Sequence, residues 1–444
     1  MAHVLCITSG LTGILNASVE LVRRLEAAGH RVTCLSPSPV REAVEGQGLR
    51  FEALPAFVRD PVPKPPPRGG RLRRVVARYT SRRARIAAGA EVLQIDASAR
   101  ILSGLGADLA IIDIESHESI LAAHQIGLPT LLLSQFFSLW PGTGQPPLSS
   151  PSVPGEVGPE AVEAEWAEAI GRRQAAHRRL RRQGLADRSD ALLHHARQVG
   201  FPTREWARGA FPPPFVYRTL PVLAMTLEAL EFPQRRRPGL HYVGPMVAPN
   251  RRDVRATADT EAEADAAIAR ARAADAWLVY APASSMDAGD GALLQTLVNV
   301  VAHRTDWHLV AGRGGHTEAA LGALPANVTV FDYAPQLRLL EAADAAVVHG
   351  GINTLHECLH AEVPMLAVSG GRHDQNGCVA RLAHHGLGLR GDPDRLGAAE
   401  LEHDLERVLT EASFRDALAR FQRLADRHRE ANTVAEVVAA HLPG

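Results

Sequence analysis

The chain has 444 residues, enough for two or three domains of ordinary size, each with its own core. Hydrophobic residues make up 46% and charged residues 22%, which excludes a chain disordered throughout. Lys and Arg number 48 against 49 Asp and Glu, a formal net charge of -1, and that balance argues against a nucleic-acid partner, whose footprint is a basic domain or stripe.

The four cysteines, Cys6, Cys34, Cys358 and Cys378, are too few and too scattered for a disulfide framework and read as reduced thiols. No run approaches the ~20 apolar residues of a membrane helix. The opening MAHVLCITSG reads as a first buried strand rather than a secretory leader. The expectation is a cytoplasmic protein without stable membrane insertion.

Taken in chain order, Val4 to Thr8 is strand-like, Ala17 to Ala28 has helical spacing at Val19, Val22 and Leu25, and Arg31 to Leu35 is strand-like again. The segment Arg59 to Arg85 is rich in Arg, with Asp60 as its lone acid and a PVPKPPP stretch. It reads as a solvated loop leading into an exposed helix, or as a contact for an anionic acceptor or lipid surface. Further strands are expected at Leu109 to Ile112, Thr130 to Leu133 and Pro221 to Met225. Between them, a run with Glu163, Glu165 and Glu168 first and Arg178 to Arg182 last complements a helix dipole and predicts a surface helix.

Gly239 to Pro245 predicts a strand entering a turn, and the polar, acidic stretch Asn250 to Ala266 predicts a linker. The second half then repeats the style, with strands at Trp277 to Tyr280, His308 to Ala311, Val328 to Phe331, Ala345 to Val348 and Met365 to Val368. Two series of strands separated by helices predict an α/β chain with two doubly wound parallel sheets. The expected units are 1–245, 246–420 and a C-terminal helical piece, 421–444, packing back towards the first.

The most informative segment is VVHGGINTLHE, Val347 to Glu357. An apolar run ends at His349, two glycines turn the chain, and a helix begins near Asn353. Such a turn makes an anion site: glycines allow close backbone approach, first-turn N–H groups point outward, and the helix dipole favours negative charge. Asn353 or Thr354 suits the N-cap. His349 can donate to a phosphate oxygen, and Glu357, about one turn in, can accept from ribose hydroxyls.

His356, Glu357 and His360 spell H-E-x-x-H, a zinc spacing on a helix, but here the helix opens from a diphosphate-type turn. No G-x-G-x-x-G and no Gly-Lys-Ser/Thr occurs, so NAD and ATP are not expected. Neither a metal nor a cofactor is needed, because helix N–H groups and His349 can neutralise a leaving diphosphate.

Tyr333-Ala334-Pro335-Gln336, His349-Gly350-Gly351-x-Asn353-Thr354-x-x-Glu357, Pro364 and Asp374-Gln375 resemble, in order and spacing, the donor signature of family 1 nucleotide-sugar glycosyltransferases. DQNGCVARLAHHGLGLR resembles most the bacterial carotenoid and macrolide types, and Val243-Gly244-Pro245 and Gly29-His30-Arg31-Val32 also resemble the family. The resemblance implies a GT-B fold, two facing Rossmann-like domains with acceptor on the first and donor on the second, and inverting transfer of a hexose, glucose favoured, from a UDP- or dTDP-sugar. It implies that Tyr333 stacks on the base with Gln336 beside it. His349, Gly351, Asn353 and Thr354 would hold the diphosphate, with Ser285 as a further phosphate contact. Glu357 would bind ribose, and Asp374 and Gln375 the sugar. The acceptor, a small molecule, would lie against Gly13, Ile14 and Phe136.

One departure matters. The family's first-loop catalytic His falls at Ile14, which cannot take a proton. Asp113, which the resemblance places as that histidine's acidic partner, is present at the end of its strand. Asp113, Glu115 or His117 can supply the base instead, although His117 reads equally as a polar helix cap. Alternatively the acceptor is acidic enough to need little help, or the protein is a nucleotide-sugar-binding helper with a degenerate site. A nucleotide-sugar epimerase fits the signature less well.

Overall fold

The computed structural model describes residues 1–64, 73–208, 215–233, 235–252, 256–282, 291–314, 321, 323–392 and 397–443. Its first sheet is formed by β1 (His3–Ile7), β2 (Arg31–Pro37), β3 (Phe51–Leu54), β4 (Leu109–Asp113), β5 (Thr130–Ser134), β8 (Val222–Ala224) and β9 (Leu240–Tyr242), while β6 (Trp206–Arg208) and β7 (Phe215–Tyr217) pair separately. The second sheet holds β10 (Trp277–Ala281), β11 (Trp307–Gly312), β12 (Val328–Phe331), β13 (Ala345–Val348), β14 (Met365–Val368) and β15 (Gly388–Gly391).

Their orders are β3-β2-β1-β4-β5-β8-β9 and β12-β11-β10-β13-β14-β15. Every pair within these two sheets is parallel. Each order reverses once, between β1 and β4 and between β10 and β13, and the crevice beyond the strands at such a reversal is where doubly wound sheets bind ligands. That rule points to the loop after β1, the end of β4 and the turn after β13.

The strands are continuous apolar runs because helices cover both faces. Val4, Cys6, Ile111 and Leu131 pack with Val19, Val22 and Leu25 of the helix Thr12–Ala27, and Val434 and Val438 of the helix Thr433–Ala439 close the same cluster. The Asn432 side chain there donates to the Arg24 carbonyl at 2.9 Å. A larger apolar cluster is shared by the two sheets: Phe137 and Leu148 from the first half touch the same core as Ile352 and Val379 from the second. Backbone bonds reinforce it, Gly377 N–H to Leu148 C=O at 2.8 Å among them.

Three expectations change. The linker is shorter, since Ala258–Ala273 is a helix whose Thr257 and Thr260 cap each other's backbone; an alanine-rich run outweighs the acidic composition that read as linker. The basic segment is only partly loop. Its helix, Arg73–Val92, is fastened by Arg82 to Asp190 at 2.7 Å and by Arg85 to the Gly184 carbonyl, while 65–72 lies outside the described residues. Strands β3 and β15, FEAL and GLRG, each carry a charged residue in place of a continuous apolar run and extend the sheets at their edges. The helix Pro159–Arg182 forms where its charge order predicts. No described helix is long and apolar enough to cross a membrane.

Candidate active site

The turn after β13 is built as the anion site requires. Gly350 has φ +80°, and a Cβ there would lie 2.2 Å from Val379 Cγ2 and 3.3 Å from the Gln375 carbonyl oxygen, so only glycine lets this turn sit against the helix Gln375–His384. The helix Ile352–His360 follows, with extended Gly351 at its N-cap and no side-chain cap. The expected caps do other work. Asn353, already inside the first turn, donates to Gln135 Oε1 across the cleft at 3.0 Å, and Thr354 is half-buried one residue on. Without a side-chain cap from Gly351, the first-turn N–H groups beyond that of Ile352, which Asp374 accepts, are left for a ligand. Gly350→Ala is expected to lower stability by about 1–3 kcal/mol through strain and overpacking; chemical unfolding measures it, and a variant as stable as the wild type would show that the turn does not need glycine.

Asp374 closes the other side. It is buried at the head of Gln375–His384, takes the Ile352 N–H and the Cys378 thiol at 3.4 Å, and burial raises its carboxyl above the usual range. Gln375 beside it holds the Arg372 N–H. Tyr333, Gln336 and His349 are half-buried. Gln336 donates to Glu357 Oε2, and Glu357 Oε1 pairs with Arg251 at 2.6 Å. Ser285 lies outside the described residues.

From the first half, Gly13 approaches so closely that a Cβ on it would lie 2.6 Å from Asn353 Nδ2. Ile14, 2% exposed, and Phe136 are buried, and Phe136 belongs to the cluster shared by the two sheets. Asp113 ends β4. Its Oδ1 takes the Glu115 N–H at 3.0 Å, whereas its buried Oδ2 has no hydrogen-bond partner. Burial pushes this carboxyl up to about 6, eased by that N–H and by neighbouring Ser9. Glu115 is pushed further, to about 8, by burial and then by the charges of Asp113 and Asp374. A first-half acid therefore feels an acid of the second half.

His117 is corrected from candidate base to core residue. Its ring is fully buried, edge-on to Phe215 and bonded through Nδ1 to the Tyr217 hydroxyl at 2.7 Å. Burial pushes it down to about 3, so it stays neutral and does not open on the cleft. The H-E-x-x-H residues do not converge either, since His356 Nε2 bonds the Thr226 hydroxyl at 3.0 Å while Glu357 is held by Arg251 and Gln336. Among the described residues, ligand atoms gather as for a metal at His177, Asp187 and Asp190, where Arg82 already holds Asp190.

Sequence reasoning missed Arg251, one basic residue in a polar stretch, and the pair Arg381–Glu231, joined at 2.8 Å with both side chains 1% exposed. No local pattern marks such partners, because 150 residues separate the second pair.

Residues 295–441 match the erythromycin biosynthesis protein CIII-like C-terminal domain. Over 440 residues the chain is 23% identical to a zeaxanthin glucosyltransferase of Pantoea ananas, covering 95% of this chain and 92% of the relative. It is 26% identical to an oleandomycin glycosyltransferase of Streptomyces antibioticus, covering 100% and 91%. Along nearly its whole length the chain is therefore similar to glycosyltransferases of carotenoid and macrolide type. Its fold is GT-B: the glycotransferase of kitacinnamycin superposes with a TM-score of 0.65 at 19% identity over 100% of this chain and 99% of that one. The glycosyltransferase VinC, in complex with DTDP, does so at 0.61 and 20% over 98% and 99%.

Proposed function

We propose that the protein transfers a hexose, glucose favoured, from a UDP- or dTDP-sugar to a small-molecule acceptor with inversion, without metal or cofactor. The observation that carries this reading is the glycine turn and helix start at Gly350–Asn353 set directly against the first half, where Asn353 donates to Gln135 at 3.0 Å and a Cβ on Gly13 would lie 2.6 Å from Asn353 Nδ2. The names of the relatives agree, since they pair sugar transfer with small molecules.

In this reading the acceptor hydroxyl attacks the anomeric carbon from the face opposite the diphosphate, and the Glu115 carboxylate takes the hydroxyl proton. The bond from the anomeric carbon to the diphosphate oxygen breaks, and its electron pair leaves with the diphosphate. The first-turn N–H groups of Ile352–His360 beyond Ile352, together with the His349 side chain, stabilise that charge. Asp113 acts through Glu115, keeping its proton affinity high enough to abstract from an alcohol. A second reading, a sugar-nucleotide-binding helper, draws on buried Ile14 at the position of the missing histidine.

Titration calorimetry with UDP and TDP tests the donor side, and the expected result is binding that His349→Ala weakens about tenfold, the worth of one hydrogen bond to a charged group. Absence of binding to either nucleotide sinks the donor site. Binding without transfer to a panel of phenolic and alcoholic acceptors favours the helper.

A further inference from the structure

Both oxygens of Glu357 are occupied, and its charged partner comes from the stretch that connects the two sheets. Arg251 Nη1 sits 2.6 Å from Oε1, with both side chains 7% exposed, and Gln336 Nε2 donates to Oε2. Arg251 lies on the stretch joining β9 to the helix Ala258–Ala273, where its N–H donates to the Ala248 carbonyl at 3.1 Å. The next residue is clamped to the first half: Gln47 accepts the Arg252 N–H at 3.0 Å and donates to the Arg252 carbonyl at 2.6 Å. The guanidinium is therefore delivered from an anchored backbone into the nucleotide site.

We propose that Arg251 competes with the nucleoside sugar for Glu357 and so sets a preference for ribose over 2′-deoxyribose. This rests on the reading of Glu357 as the ribose carboxylate. A buried carboxylate with both oxygens satisfied by N–H donors gains nothing by exchanging a charged donor for one neutral hydroxyl. Two vicinal hydroxyls, each bonding one oxygen, compensate for the loss. A 2′-deoxyribose, with its 3′-hydroxyl alone, leaves one oxygen short, or leaves Arg251 in place and binds poorly. Removing the guanidinium opens Oε1, and a single hydroxyl then suffices.

The test uses the full chain with UDP and dUDP, which differ only in the 2′-hydroxyl, and TDP as a third probe. Titration calorimetry of the wild type is expected to favour UDP over dUDP. In Arg251→Met that preference shrinks about tenfold, chiefly through tighter dUDP, by the worth of one charge-assisted hydrogen bond. Arg251→Lys, which keeps a cation, stays nearer the wild type. If the methionine variant does not fold, Arg251→Gln is read in the same way. Equal affinities of the wild type for UDP and dUDP, or a preference that Arg251→Met leaves unchanged, overturn the assignment. A wild type that binds UDP, dUDP and TDP not at all removes the nucleotide site itself, and the assignment with it.

Discussion

Glu231→Gln is expected to destabilise the protein by about 3–5 kcal/mol, the cost of leaving a buried charge without its partner. Arg381 gives Glu231 Oε2 two bonds, from Nε at 2.9 Å and Nη2 at 2.8 Å. It also donates to Gln145 Oε1 at 2.7 Å and the Gly377 carbonyl at 3.0 Å, and its guanidinium lies 4.6 Å from the ring centres of Phe137 and Phe232. Glu231 Oε1 holds the Ser138 N–H at 2.6 Å and the Tyr242 hydroxyl at 3.2 Å. Glutamine keeps the shape but strands the cation, with no water to solvate it. The double variant Glu231→Leu, Arg381→Met removes both charges and is expected to recover much of the loss, because apolar replacement of a whole buried pair is often neutral. Urea unfolding of the wild type, Glu231→Leu, Arg381→Met and the double variant gives the coupling energy. Single variants within 1 kcal/mol of wild type would show that the pair is not closed to water.

Glu115→Gln is expected to lower kcat about 10²–10⁴-fold, the usual contribution of a positioned base, and to leave UDP affinity within a few-fold. The pH profile carries the sharper signature. With Glu115 pushed up to about 8, the base form accumulates only as pH rises through that value, so the wild-type rate climbs towards pH 8 and the glutamine variant loses the climb. Stability has the opposite sign. The folded state holds a proton that the unfolded chain releases near 4.5, so stability falls as pH rises from there to about 8. The variant flattens that slope as well. A wild-type rate that is flat from pH 6 to 9, or a glutamine variant at full rate, would assign the base elsewhere.

Much of the fold was legible because parallel strands covered on both faces appear as plain apolar runs; β12, β13 and β14 lie at the residues their runs predict. The turn after β13 was legible because its pattern is local: glycine, helix start and polar residues follow one another within a dozen positions. What was hidden is relational. His117 has the composition of a base, but Tyr217, 100 residues away, makes it a core residue. Asn353 has the composition of a cap, yet Gln135 from the first half claims its amide. In the same way Glu357 had a visible role and an invisible occupant. The edge strand β3 escaped because Glu52 breaks its apolar run, whereas the equally short β12, β13 and β14 carry no charge.

The apolar cluster shared by the two sheets bears on how such proteins are recombined. Chimeras that join the acceptor half of one enzyme to the donor half of another are cut most naturally in the connecting stretch near residue 250. Here that cut would strand Phe137 and Leu148 of one parent against Ile352 and Val379 of another. A working hybrid must carry 135–151 along with the donor half, since Leu148, Ser149 and Pro151 bond Gly377, Asn376 and Arg390 through their carbonyls. The two structural halves of this chain are thus interleaved rather than laid end to end.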